Sequence, residues 1–177
     1  MHHSDFIKII ASVYKPKKYI ELGLYEGETL TKVLPYVQEK GIGVDMVLSQ
    51  SVKNINHPKL IKFEGKTDSF FAQQSIDEKF DLIFIDADHC FQSVLKDFKN
   101  SLNLLTRDGL IILHDTNPID NKYFDKGYCG DSYKIVPVIE NEYKDILNIF
   151  TMPLTEAGLS IITRKNSTRT IIRNEHL

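Results

Sequence analysis

Apolar positions along the chain switch between two periods, one helical and one of strand type. Phe6, Ile9, Ile10 and Val13 recur at helical spacing behind Ser4, which can cap the helix, and Pro16 closes it. Residues 19–24 form a first strand, followed by a glycine-containing turn and a helix over about 28–38 that Pro35 should kink or end early. A short strand over 41–46 precedes a brief helix starting at Ser49 or Gln50 and ending before Pro58. Strands over 60–64 and 80–85 flank a short helix at 68–74. Phe91, Val94, Leu95, Phe98, Leu102 and Leu105 then mark a longer amphipathic helix, and 109–113 a fifth strand. Beyond a long polar loop over 117–132, residues 133–143 read as helix, and 146–152 and 159–163 as two apolar runs joined by a few residues.

Strands alternating with helices predict parallel pairing through right-handed crossovers. The last connection is too short for a parallel crossover, so that pair should be antiparallel. The expected architecture is α/β: a mostly parallel, seven-stranded sheet with an antiparallel last strand and helices on both faces. One domain should cover residues 1–165, with a polar tail over 166–177. At 177 residues with 42% hydrophobic and 26% charged content, the chain can bury one sizeable core. A formal charge of −2 gives no electrostatic case for a nucleic-acid or anionic-membrane partner. Cys90 and Cys129 form no CxxC pair, and no apolar run approaches signal-peptide or membrane-span length, so a reducing cytoplasm is expected. His2 and His3 are expected at the surface.

Candidate chemistry lies where the apolar runs end. The run at 80–85 ends in Asp86, Asp88 and His89, and the run at 109–113 in His114 and Asp115. Desolvated carboxylates are costly, so two such bursts need a purpose. If these strands are parallel neighbours, both bursts emerge at one carboxyl edge, where open α/β sheets bind ligands. At the first strand's end, Gly23 and Gly27 let the backbone turn tightly and approach a ligand. Tyr25 stands where the dinucleotide fingerprint has its second glycine, which argues against NAD. Asp45, 22 residues past Gly23, can accept the two hydroxyls of a ribose. The bland alternative is that the glycines serve a turn and Asp45 caps a helix.

Glu21-x-Gly23-x-Tyr25-x-Gly27-x-Thr29, Gly43-x-Asp45, Gly65-Lys-Thr67, Asp86-Ala-Asp-His89 and His114-Asp115 together resemble class I S-adenosylmethionine-dependent methyltransferases. The likeness is to the group that includes metal-assisted O-methyltransferases (methyltransferase family 24-like), over about residues 5–165. The resemblance implies a Rossmann-like class I fold and S-adenosylmethionine as cofactor. Glu21 and Gly23 would border its methionine part, with Tyr25, Gly27 and Thr29 in the same turn and Asp86 beside it. Asp45 would hold the ribose, and Thr67 and Asp68 would lie near adenine. Lys66 stands where such proteins often carry an acid. Asp86, His114 and Asp115 would be metal ligands, and a nitrogen donor suits Mn, Fe or Zn better than Mg.

A hydroxyl acceptor needs its proton removed, and a cation that lowers its pKa eases this. Asp88 and His89 are the base candidates, the resemblance favouring Asp88; either could instead cap the helix that follows. Asp131 or Tyr133 could touch an acceptor, and Cys129 is read as a packing thiol. The expected activity is methyl transfer to a small-molecule or sugar hydroxyl with divalent-metal assistance. Metal-independent N- or C-methylation and a non-catalytic nucleoside-binding module are the alternatives. Only about 18 residues precede the first strand, so the acceptor site should be open or completed by another subunit of a homo-oligomer.

Overall fold

The apolar runs are buried on both faces, as a central parallel sheet requires. The computed structural model describes residues 1–125, 127–154 and 157–168. Its strands are β1 (Lys18–Leu22), β2 (Lys40–Asp45), β3 (Leu60–Glu64), β4 (Phe80–Ile85), β5 (Leu105–His114), β6 (Leu147–Met152) and β7 (Leu159–Arg164). They form one seven-stranded sheet in the order β3-β2-β1-β4-β5-β7-β6, with β7 antiparallel to both of its neighbours. The expected mixed sheet is therefore present.

Alternating side chains of each strand feed two cores. Ile20, Leu22, Ile83 and Ile85 pack with Phe70 of α4 (Thr67–Phe71), Val94 and Phe98 of α5 (Phe91–Leu104), and Ile135 and Ile139 of α6 (Ile135–Glu142). Tyr19, Leu82 and Phe84 pack with Ile7 and Ala11 of α1 (His3–Tyr14), Leu30 and Val33 of α2 (Glu28–Val33), and Val52 of α3 (Gln50–Asn54). Two apolar layers of this kind hold the strand tips in fixed register.

Register places the site. Leu22 lies opposite Ile85, and Ile85 opposite Leu113, in parallel ladders. The residues that follow, Gly23, Asp86 and His114, therefore emerge side by side at one edge.

Several local expectations need correction. His2, not Ser4, caps α1, and the helix buries Ser4, Ile7 and Ala11, leaving Ile9 and Val13 exposed. Small residues take the contact stripe because α2 packs against it: Ser4 donates to Glu28 and accepts from Lys32. Pro35 ends α2 early as a single 3-10 turn, Leu34–Tyr36. β5 starts at Leu105 rather than 109, because Leu105 pairs with Phe80 before a register shift restores the ladder at Leu82. The loop over 117–132 contains a 3-10 turn, Asn121–Phe124, and a second one at Ser132–Lys134 precedes α6. Of the expected tail, 169–177 lie outside the described residues; Ser167 and Thr168 are tied to Asp108.

Candidate functional site

Backbone contact at the strand tips comes first. Gly23, at φ 86°, sits so close to β4 that an added Cβ would lie 2.0 Å from the Asp86 carbonyl oxygen. No other residue fits there. Gly27 serves differently: it starts α2 at φ 77°, and a Cβ would meet Ile55 and Val52 at 2.9 and 3.0 Å. It lines neither of the cavities described below and packs against α3.

Two cavities open at this edge, of about 1230 and 470 Å³, and Gly23, Asp45 and Ala87 line both. Asp45 thus stands at a waist. Its Oδ2 accepts from the Leu24 and Tyr25 amides at 2.7 and 3.2 Å, bracing the glycine turn, and its Oδ1 from Val47 N at 3.2 Å. It does not cap the next helix; Ser49 does. Glu21, Tyr25 and Thr29 line the larger cavity, and Thr67 and Asp68 the smaller. Tyr25 is 85% exposed, with its backbone at φ 47°.

The larger cavity carries an acid–imidazole cluster. His114 Nδ1 lies 3.0 Å from Asp86 Oδ1 and 3.2 Å from Asp115 Oδ1. His89 Nε2 lies 3.2 Å from Asp115 Oδ2 and 4.0 Å from Asp86 Oδ1. Asp115 is buried at φ 60°, a left-handed conformation that aspartate tolerates better than most residues. Burial pushes the His114 imidazole down, but the Asp86 and Asp115 carboxylates more than reverse this and hold it up at about 9. Burial raises the Asp115 carboxyl, against the pull of His114. Burial, then the neighbouring Asp115 charge, pushes the Cys129 thiol up to about 12, which suits a packing thiol and not a nucleophile.

Donor atoms of Asp86, His114 and Asp115 all lie within 4.8 Å of one another. Metal–ligand bonds of about 2.0–2.3 Å require donors this close, so the set fits a divalent cation. Two carboxylates and one imidazole also match the donor chemistry of Mn, Fe or Zn. The Nε2 of His114 is buried without a partner among the described residues.

Asp88 is not brought to this cluster. It lines the smaller cavity, accepting from Cys90 N at 3.2 Å and from Ser93 Oγ at 2.7 Å. His89 is the base candidate that faces the cluster. Asp131, expected near an acceptor, instead accepts from Phe91 N at 2.6 Å and so caps α5. Tyr133 stacks on Phe124, while Tyr123 and Tyr128 line the large cavity.

His3 was expected at the surface and belongs to the site. Its ring packs 4.3 Å from that of His114, and burial, then the His114 charge, lowers it to about 4. Glu21, 1% exposed, accepts from the Tyr19 hydroxyl at 2.6 Å, and burial raises its carboxyl to about 8.

A sheet of this order, with a glycine turn and an acid at adjacent strand tips, defines the class I methyltransferase fold. A family model described as a methyltransferase domain matches residues 20–116, more than half of the chain, which therefore belongs to that family. It is an S-adenosylmethionine-dependent methyltransferase. No curated protein matches the chain. Among solved structures it is similar to cofactor-bound Rv0187 from MTB, with TM-score 0.72 and 12% identity over 91% of this chain and 78% of that one. The O-methyltransferase TomG from Streptomyces achromogenes, in complex with SAM, gives TM-score 0.69 and 10% identity over 92% and 79%. An O-methyltransferase from Bacillus cereus, in complex with SAH, gives TM-score 0.62 and 16% identity over 90% and 78%. Among the described residues no helix is long and apolar enough to cross a membrane.

Proposed function

We propose that this chain transfers the methyl group of S-adenosylmethionine to a hydroxyl of a small molecule or sugar, assisted by a divalent cation. One observation carries the proposal: Asp86, His114 and Asp115 converge in the cavity that also holds Glu21, Gly23 and Asp45. Asp86, His114 and Asp115 would hold the cation. When bound, it would lower the pKa of the acceptor hydroxyl and orient it.

The remaining work falls to the chain's own side chains. The glycine turn and Asp45 position the nucleoside at the waist, so the sulfonium points into the large cavity. Methyl transfer is an in-line substitution: the acceptor oxygen forms a bond to the methyl carbon as the carbon–sulfur bond breaks. Positioning therefore supplies much of the rate. His89, aligned by Asp115, accepts the hydroxyl proton. Tyr25, Tyr123 and Tyr128 offer rings on which a planar or sugar acceptor can lie.

The His89–Asp115 pair also supports a second reading, in which the imidazole takes the proton without a metal, as in an N- or C-methyltransferase. A chelator separates the two. Methyl transfer from labelled S-adenosylmethionine to a panel of hydroxylated acceptors should fall at least tenfold on chelation and return with Mn²⁺. Transfer unaffected by the chelator would support the second reading.

A further inference from the structure

His3 packs on the acid–imidazole cluster without contributing a donor to it. Its ring centre lies 4.3 Å from that of His114 and 6.0 Å from that of Phe84. The donor atoms that gather within 4.8 Å of one another come from Asp86, His114 and Asp115. A packing position between two rings has no need of nitrogen, so an imidazole here calls for a reason.

The start of α1 fixes this ring in place. His2 accepts from the Ser4 amide at 3.4 Å, and its own ring lies 4.2 Å from that of His3. Ser4 donates to Glu28 at 2.9 Å, and Lys32 Nζ reaches Ser4 at 2.9 Å and Asp5 at 2.6 Å. The residues following His3 thus tie the first turn to α2, and the His3 ring is held against His114.

His114 supplies the reason. Its Nδ1 faces Asp86 and Asp115 at 3.0 and 3.2 Å, so this is the nitrogen on the cation's side. Its Nε2 is buried and has no partner among the described residues. An imidazole that binds a metal through one nitrogen carries its proton on the other, and that N–H is ordinarily given to an acceptor that fixes the ring. Phe84, the other ring packed on His114, has no acceptor to offer. A neutral imidazole has one. His3 is the first residue of α1, where the positive end of the helix favours the neutral form.

We infer that His3 is a positioning residue for the cation site: its imidazole accepts the Nε2–H of His114 and so keeps Nδ1 turned toward the cation. The inference rests on the cation reading proposed above. With the ring centres 4.3 Å apart, a turn of the His3 ring about its own χ2 bond brings a nitrogen toward Nε2.

Metal titrations of the full chain test this. His3→Phe keeps a ring on His114 and removes the acceptor, and should weaken Mn²⁺ binding about tenfold in calorimetry. It should also shift the visible bands of the Co²⁺-loaded protein. His3→Gln offers a carbonyl oxygen in place of the imidazole and should recover Mn²⁺ affinity to within threefold of wild type. S-adenosylhomocysteine affinity, unchanged within twofold in both variants, confirms that they fold. Wild-type Mn²⁺ affinity and Co²⁺ bands in His3→Phe overturn the inference, as does a His3→Gln that binds no better than His3→Phe. The wild-type protein gives a second measurement that needs no variant. Loaded with Zn²⁺ and labelled with ¹⁵N, it should show a nitrogen–nitrogen coupling through the hydrogen bond between His114 Nε2 and His3. Absence of that coupling overturns the role of His3 while leaving the cation site intact. Failure of the wild-type protein to bind Mn²⁺, Co²⁺ or Zn²⁺ overturns the cation reading, and this inference with it.

Discussion

Glu21 and His114 show how single side chains at the strand tips trade stability for function. Folded Glu21 keeps its proton up to about 8, against an ordinary 4.5. The folded chain therefore binds more protons than the unfolded chain between those values, and stability falls as pH rises through that window. Glu21→Gln, which removes the titration and keeps the shape, should stabilise the protein at pH 8 by an amount on the order of a few kcal/mol, and much less at pH 5. Denaturant melts at the two pH values check this, and equal shifts at both would contradict it. His114 is raised as well, but by neighbouring carboxylates and against burial. Its folded value of about 9 means that it carries a proton near neutrality. Mn²⁺ must displace that proton, so binding should release protons and tighten as pH rises from 7 to 9. Calorimetry in buffers of different ionisation heat reads the released proton directly. His114→Ala should abolish the pH dependence and weaken Mn²⁺ binding at least tenfold.

Most of this residue-level site was legible because polar bursts after apolar strands stand out. Asp86, His114 and Asp115 carry that signal, and Asp45 carries the spacing from Gly23. His3 carried none: it opens a helix whose contact stripe is built of Ser4, Ile7 and Ala11, and its half-buried ring lies against Phe84 of β4 and His114. Asp88 lines the smaller cavity and His89 the larger, because adjacent residues on a turn leave the strand in different directions, and sequence spacing does not say which.

At the scale of elements, α5 walls the smaller cavity with Ser93, Lys96 and Asp97. Its first amide is capped from afar by Asp131, whose own amide donates to the His89 carbonyl at 3.0 Å. Asp131→Ala removes the side-chain cap and keeps the backbone bond. We expect a loss of about 1 kcal/mol, a Tm fall of about 2–4 °C, with S-adenosylhomocysteine affinity unchanged within twofold. A tenfold loss of that affinity in differential scanning and titration experiments would show that Asp131 acts in binding and not as a cap. Strands and long helices were legible within a few residues because periodicity decides them. Element ends were not: the early end of α2 and the early start of β5 depend on Pro35 and on pairing with Phe80, which are tertiary matters.

For the whole molecule, sheet order turns separate tips into one site. Only because β1 lies between β2 and β4, and β4 between β1 and β5, do Asp45, Gly23, Asp86 and His114 share an edge. Strand–helix alternation made parallel pairing legible, and the short 152–159 connection made the antiparallel end legible. The two-chambered cleft was not, since its shape depends on how the 117–132 loop and α1 close over that edge. The most direct test is a crystal structure with S-adenosylhomocysteine and Mn²⁺, using the anomalous signal of the metal. The account predicts one Mn²⁺ bonded to Asp86, His114 and Asp115, the ribose on Asp45, and the sulfur facing the metal across the large cavity. A metal bound elsewhere, or a sulfur directed into the chamber beside Asp97, would contradict it.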